Sequence, residues 1–184
     1  MNRIQVYTGD GKGKTTAALG LAIRHLGAGG RVCLIHFDKG ARPGFEDRLY
    51  SERSLLKGLP GLELHGCGTQ RFDPDQGTFR FENTPEDRQE ALRGLALAEK
   101  ALDQKHSLLI LDEVLSLVMT KLVKTQEVMD FVKLYLDKGR PCELVLTGHA
   151  AWPELAACAD LITDMRKRKH YFDIGESARK GIEF

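Results

Sequence analysis

At 184 residues and 20.5 kDa the chain has room for one ordinary domain, which buries about 70% of the surface its unfolded form exposes and so needs no disulfide or metal staple. The 27 Lys plus Arg against 26 Asp plus Glu leave a net charge of +1, which argues against a protein that coats nucleic acid by bulk charge. Hydrophobic content of 42% with 29% charged residues excludes a disordered chain.

Along the chain, short apolar runs alternate with helical patterns. The run at 4–7 reads as a strand and leads into a glycine-rich segment, Thr8-Gly9-Asp10-Gly11-Lys12-Gly13-Lys14-Thr15-Thr16. A helix follows, with Leu19, Ile23 and Leu26 at i, i+4 and i+7, and it ends at Gly27-Ala28-Gly29-Gly30. Strand patterns at 32–37 and 62–64 come next. The long irregular stretch 66–83 carries Phe72, Phe79 and Phe81, and a loop of that length inside a compact domain reads as a lid. Thr84-Pro85-Glu86-Asp87 supplies an N-cap, a proline at the first helical position and an acid at the third, ahead of Leu92, Leu95, Ala98 and Leu102. A strand at 108–111 ends in Asp112-Glu113. Val128, Phe131, Val132 and Tyr135 mark a further helix, 144–147 and 161–163 read as strands, and Pro153 opens a short helix between them. Runs apolar on both faces belong in a covered parallel sheet, so the expected fold is α/β, a single doubly wound domain over 1–184.

The four cysteines, Cys33, Cys67, Cys142 and Cys158, never stand at the spacing of a zinc knuckle or redox pair and read as reduced, buried thiols. The longest apolar run is broken by Asp112 and Glu113, far short of the roughly 18 residues of a membrane span. No secretory leader pattern precedes the first strand, and the expected location is cytoplasmic. The basic run Arg166-Lys167-Arg168-Lys169-His170 reads as a solvated strand end or as a surface for an acidic small molecule, and Trp152 as packing at a helix start.

The glycine-rich segment between strand and helix is the context of a phosphate-binding loop. Its glycines let backbone N–H groups converge on an anion at a helix N-terminus. Lys14 would reach along the phosphates and the Thr15 hydroxyl would ligate Mg²⁺. The usual motif places glycine at position 8, where Thr8 stands, so the loop counted from Gly9 is one residue shorter. Asp112 and Glu113 end a strand at the sheet edge that also carries the loop, within reach of a metal held by Thr15. These features make a nucleoside triphosphate with Mg²⁺ the expected ligand and the P-loop nucleoside triphosphatase (RecA-like) class the expected fold, without naming the reaction.

Taken end to end, "TGDGKGKTTAALGLAIR", "FDKG", "LLILDEV", "LVLTG", "ADLITDM" and the tail "KHYFDIGESARKGIEF" resemble the corrinoid adenosyltransferases of the cob(I)alamin type. The resemblance implies transfer of the 5′-deoxyadenosyl group of ATP to Co(I) of cobalamin or a cobyrinic precursor, with triphosphate released. It implies that Gly9, Asp10, Gly11, Lys12, Gly13, Lys14, Thr15 and Thr16 hold the phosphates and that Arg24 supports the nucleotide. Thr15 and Glu113 would bind Mg²⁺, or Mn²⁺ in its place, with Asp112 beside them. It also implies a homodimer served by a flavoprotein reductase, with neither membrane nor nucleic acid as partner. Where the family places an aromatic to shield the lower corrinoid face, Gly68-Thr69-Gln70-Arg71 stands at the closest alignment, with Phe72, Phe79 and Phe81 as candidates for that role; His149 stands where many members have arginine and reads as a surface residue. Two other functions use the same loop: a RecA-like ATPase on nucleic acid, releasing inorganic phosphate, and a small-molecule kinase, releasing ADP.

Overall fold

The computed structural model describes residues 1–40, 50–73 and 78–183. Its strands are β1 (Ile4–Thr8), β2 (Val32–His36), β3 (Leu62–Gly66), β4 (Phe72–Asp73), β5 (Thr78–Phe79), β6 (Leu108–Asp112), β7 (Glu143–Thr147) and β8 (Leu161–Asp164). Its helices are α1 (Lys14–Gly27), α2 (Ser51–Leu56), α3 (Pro85–Ala101), α4 (Ser116–Met119), α5 (Thr125–Asp137) and α6 (Pro153–Cys158). Six strands form one sheet in the order β3-β2-β6-β7-β1-β8, parallel throughout, and β4 and β5 form a small antiparallel ribbon.

Burial explains why β2 and β6 read as nearly unbroken apolar runs. Every residue of β2 and of β6 is buried, since helices cover both sides of the sheet. One side packs Ala18 and Ala22 of α1 and Leu56 of α2 on Val32, Leu34, Ile110 and Val145. The other packs Leu95 and Ala98 of α3, and Phe131 and Val132 of α5, on Ile35, Leu109, Leu111 and Leu144.

The stripe of α1 differs from the expected one. Leu19 and Leu26 lie at its margin and Ile23 is 47% exposed, while the residues against the sheet are Ala18 and Ala22. Small side chains let the helix lie close on the strands, so the seat of α1 is set by its alanines. At α3 the expected start is present: the Thr84 hydroxyl accepts from the Asp87 N–H and the Asp87 carboxylate from the Thr84 N–H, with Pro85 at the first position. The stretch 66–83 contains the β4–β5 ribbon, in which Phe72 pairs Phe79. The side chains of Phe72 and Phe79 lie outside the described residues, and Phe81 is 83% exposed.

Because all six strands run one way, the segments after β1, β2, β6, β7 and β8 emerge at the same edge. The chain leaves β1 through α1 and returns three places away at β2, with β7 and β6 between. That reversal opens the crevice at which doubly wound sheets bind ligands.

Candidate active site

The loop after β1 takes its shape from two glycines in the left-handed region, Gly9 at φ 106° and Gly13 at φ 116°. A Cβ on Gly9 or Gly11 would collide with the Met165 carbonyl, so the loop also needs glycine to lie against the chain leaving β8. The Gly11 N–H donates to Met165 O at 2.6 Å and the Gly9 N–H to His149 O at 3.3 Å. Gly13 precedes α1; no side chain caps the helix and no acid stands in its first turn, so its leading N–H groups and positive dipole end face the crevice.

Lys14 is 6% exposed and its Nζ donates to Gly9 O and Gly11 O, each at 2.8 Å. The ammonium is thereby parked on loop carbonyls at the mouth of the anion cradle. Lys12 is more open, and its Nζ reaches the tail: Tyr171 OH at 3.1 Å, Ile182 O at 2.8 Å and Glu183 Oε1 at 2.6 Å. The exposed Asp10 accepts the Lys167 N–H at 3.0 Å, a second tie between loop and tail.

Asp112 gathers the rest of the site. Its Oδ1 accepts from Thr15 Oγ1 at 2.9 Å and from Thr147 Oγ1 at 2.8 Å; its Oδ2 accepts from Lys39 Nζ at 2.6 Å and lies 2.9 Å from His36 Nδ1. Lys39 Nζ also lies 3.2 Å from Thr15 Oγ1, so it bridges the loop hydroxyl and the strand-end carboxylate. Burial works to raise the Asp112 pKa, but the Lys39 ammonium and the His36 ring outweigh it and hold the carboxyl far below the usual range. His36 is pushed down, chiefly by burial, and is therefore the neutral donor to an ionised carboxylate, with its Nε2 left unpartnered among the described residues.

Glu113 stands differently from its expected place beside Thr15. Its carboxylate accepts the Ser116 hydroxyl and its N–H donates to Thr147 Oγ1 at 2.8 Å, in a backbone with φ 65°. Asp112, not Glu113, is the carboxylate in contact with Thr15. Arg24 is exposed in the last turn of α1, about 15 Å along the helix axis from Lys14. The His149 side chain is exposed, and only its backbone serves the loop.

Three side chains of the site were not singled out from the sequence: His36, and Lys39 and Thr147, which lie within the segments FDKG and LVLTG. The signal that joins them to Asp112 is register, since His36 pairs Asp112 across β2 and β6, and Lys39 follows three residues on. A cavity of about 420 Å³ opens beside Thr15 and Thr16, bounded by Lys39, Tyr50, Leu55 and Glu183. That volume is in the range of pockets for nucleotide-sized ligands. The Thr15 hydroxyl and the Asp112 carboxylate are hard oxygen donors on one side of it, the chemistry that Mg²⁺ takes.

The family model for ATP:corrinoid adenosyltransferase BtuR/CobO/CobP matches residues 1–184. A "Corrinoid adenosyltransferase" of Sinorhizobium sp is 34% identical over 190 residues, covering 98% of this chain and 79% of that protein. The protein of the same name in Escherichia coli K12 is 32% identical, with 98% and 85% covered. "Corrinoid adenosyltransferase CobA" of Salmonella typhimurium LT2 is 30% identical over the same shares.

Proposed function

The chain belongs to the ATP:corrinoid adenosyltransferase family, and on that premise we propose how its residues divide the work. The reaction transfers the 5′-deoxyadenosyl group of ATP to the Co(I) of a reduced corrinoid. The cobalt electron pair forms the Co–C5′ bond as the C5′–O bond breaks, and triphosphate leaves with the electron pair of that C5′–O bond. The nucleophile bears no proton, which is why no general base is required and why a site built from cations and donors suffices.

The observation that carries this division is the Lys39–Asp112–Thr15 bridge at the mouth of the phosphate loop. The backbone N–H groups at the start of α1, Lys14 and Lys12 receive the triphosphate and hold C5′ outward. Lys14 exchanges its loop carbonyls for phosphate oxygen, and Lys39 leaves Asp112 for the same charge. Thr15 and Asp112 are the residues that would hold Mg²⁺ or Mn²⁺, with Glu113 behind them, and the metal would neutralise charge on the leaving group. A single preorganised donor of this kind is worth roughly 3 kcal/mol in the transition state. Thr147 and His36 fix the Asp112 carboxylate so that it does not rotate away.

The corrinoid, complete or precursor, lies over the same sheet edge, under the 66–83 segment. Arg71 and Arg80 hold that segment to the domain, Arg71 Nε to Asp38 at 2.7 Å and Arg80 Nη1 to Asp87 at 2.6 Å. A flavoprotein reductase supplies Co(I), and two copies of the chain pair. No helix among the described residues is long and apolar enough to cross a membrane. The nucleic-acid ATPase and kinase alternatives lack a supporting observation: Arg166 and Lys167 of the basic run are taken up by Asp164 and Asp173.

Product analysis tests the reading. With ATP, Mg²⁺ and chemically reduced cobalamin under anaerobic conditions, the expected products are triphosphate and a light-sensitive alkyl-cobalt species. ADP or inorganic phosphate, with the cobalt spectrum unchanged, would overturn it.

A further inference from the structure

Away from the nucleotide crevice, Cys33 on β2 and Glu63 and His65 on β3 each place one metal-binding atom within 4.8 Å of the others. Register brings them together. Cys33 and Glu63 are direct partners across the two strands, so both project from the same face, and His65, two residues beyond Glu63, shares that face. His106, in the turn between α3 and β6, joins from outside the sheet. Its Nε2 lies 3.1 Å from one Glu63 oxygen, while His65 Nε2 lies 2.7 Å from the other.

We propose that Cys33, Glu63, His65 and His106 form a zinc site. A thiolate, two imidazoles and a carboxylate make a mixed sulfur, nitrogen and oxygen set that suits Zn²⁺, in contrast to the all-oxygen pair at Thr15 and Asp112. With bonds of roughly 2.0–2.3 Å, neighbouring donors around a tetrahedral ion stand about 3.2–3.8 Å apart, so Cys33, Glu63 and His65 need adjustments on the order of 1 Å, while His106 meets the group through Glu63 and would swing in as the fourth ligand. The group has a floor and a mouth: Cys33 is 1% and His106 6% exposed, while the side chains of His65 and Glu63 are 26% and 41% exposed, which gives an ion a way in.

Ion pairing alone accounts for only part of the cluster. It explains why Glu63 attracts two imidazoles, but not why a buried thiol sits against the same carboxylate. Nor does it explain the His106 ring, whose buried Nδ1 has no hydrogen-bond partner among the described residues. A divalent ion resolves the first conflict by replacing the thiol proton: a Zn–S bond forms, one H⁺ leaves to solvent, and no oxidation state changes. The site would fasten the sheet's edge strand β3 to β2 and to the turn before β6. Cys33 and Glu63 are second in their strands, toward the edge opposite the phosphate loop, so the role is structural.

The test uses the full chain freed of metal by chelation. Zinc titrated against a chromophoric chelator is expected to bind once per chain with sub-micromolar Kd and to raise Tm. Co²⁺ in its place is expected to show a thiolate charge-transfer band. Cys33→Ser and the half-exposed His65→Ala should each weaken zinc at least tenfold and abolish the Tm rise, whereas Asp112→Asn should keep both the affinity and the cobalt band. Absence of tight zinc binding overturns the proposal. So does equal binding by the Cys33 and His65 variants, or a cobalt complex without the thiolate band.

Discussion

Lys14 and Lys39 each rest on protein oxygens, Lys14 on loop carbonyls and Lys39 on the Asp112 carboxylate, which phosphate would replace in the proposed reaction. Lys14→Ala removes the charge that follows the departing triphosphate and is expected to lower kcat by at least about 100-fold, measured as alkyl-cobalt formation. His149→Ala, on an exposed side chain, is expected to stay within about twofold of the parent. Lys39→Met frees Asp112 of its internal cation and is expected to tighten Mn²⁺ binding without nucleotide while turnover falls; electron paramagnetic resonance of free Mn²⁺ measures the first effect. Asp87 sets an acid limit. Burial opposes its charge, but Arg80, Thr69 and the Thr84 N–H outweigh burial and hold the carboxyl well below its ordinary value. Its stability contribution is therefore complete above the unfolded carboxylate pKa of about 3.9 and is lost as pH falls below it. Urea unfolding at pH 7 and pH 3 should show Asp87→Asn less stable at pH 7 and less sensitive to the change. At this scale the phosphate loop and the acid pair were legible because their chemistry is local, a strand, a turn and a helix in one stretch. Lys39 and His36 were not, because sheet register places them.

Among the elements, the strands were the most legible. A strand covered on both sides is apolar at nearly every position, as β2 and β6 are; β1, β3 and β8, which carry Gln5, Glu63 with His65, and a fully exposed run, were marked by shorter apolar stretches. The elements without a sequence signal are short: α2 has six residues, α4 four, and β4 and β5 two each, too few to show a period. The face of α1 was misjudged by counting large side chains, when the contact surface is Ala18 and Ala22. Ala22→Leu, at 0% exposure against β-strand side chains, is therefore expected to overpack the layer and cost about 1–3 kcal/mol, despite raising hydrophobicity. Chemical denaturation gives that number. The Thr84–Asp87 box shows why the start of α3 was readable, since the cap satisfies helix N–H groups with side chains that stand at fixed positions in sequence.

For the whole molecule, the phosphate loop is the first functional segment of the chain and depends on the last. β1 pairs with β7 and β8 alone, and the loop's N–H groups lean on His149 and Met165, while Lys12 is tied to Tyr171 and Glu183. A chain truncated after Cys158 keeps five of the six parallel strands yet is expected to lose binding of a fluorescent ATP analogue while retaining much of its far-ultraviolet helical signal. The same dependence shapes folding. Closing β1 against β8 spans nearly the whole chain, and such distant pairings slow folding because loop entropy is lost before contacts form. During synthesis, one edge of β1 and the Gly11 N–H stay without their partners until residues past 165 leave the ribosome. The segment that forms the phosphate loop is therefore translated well before it can become native.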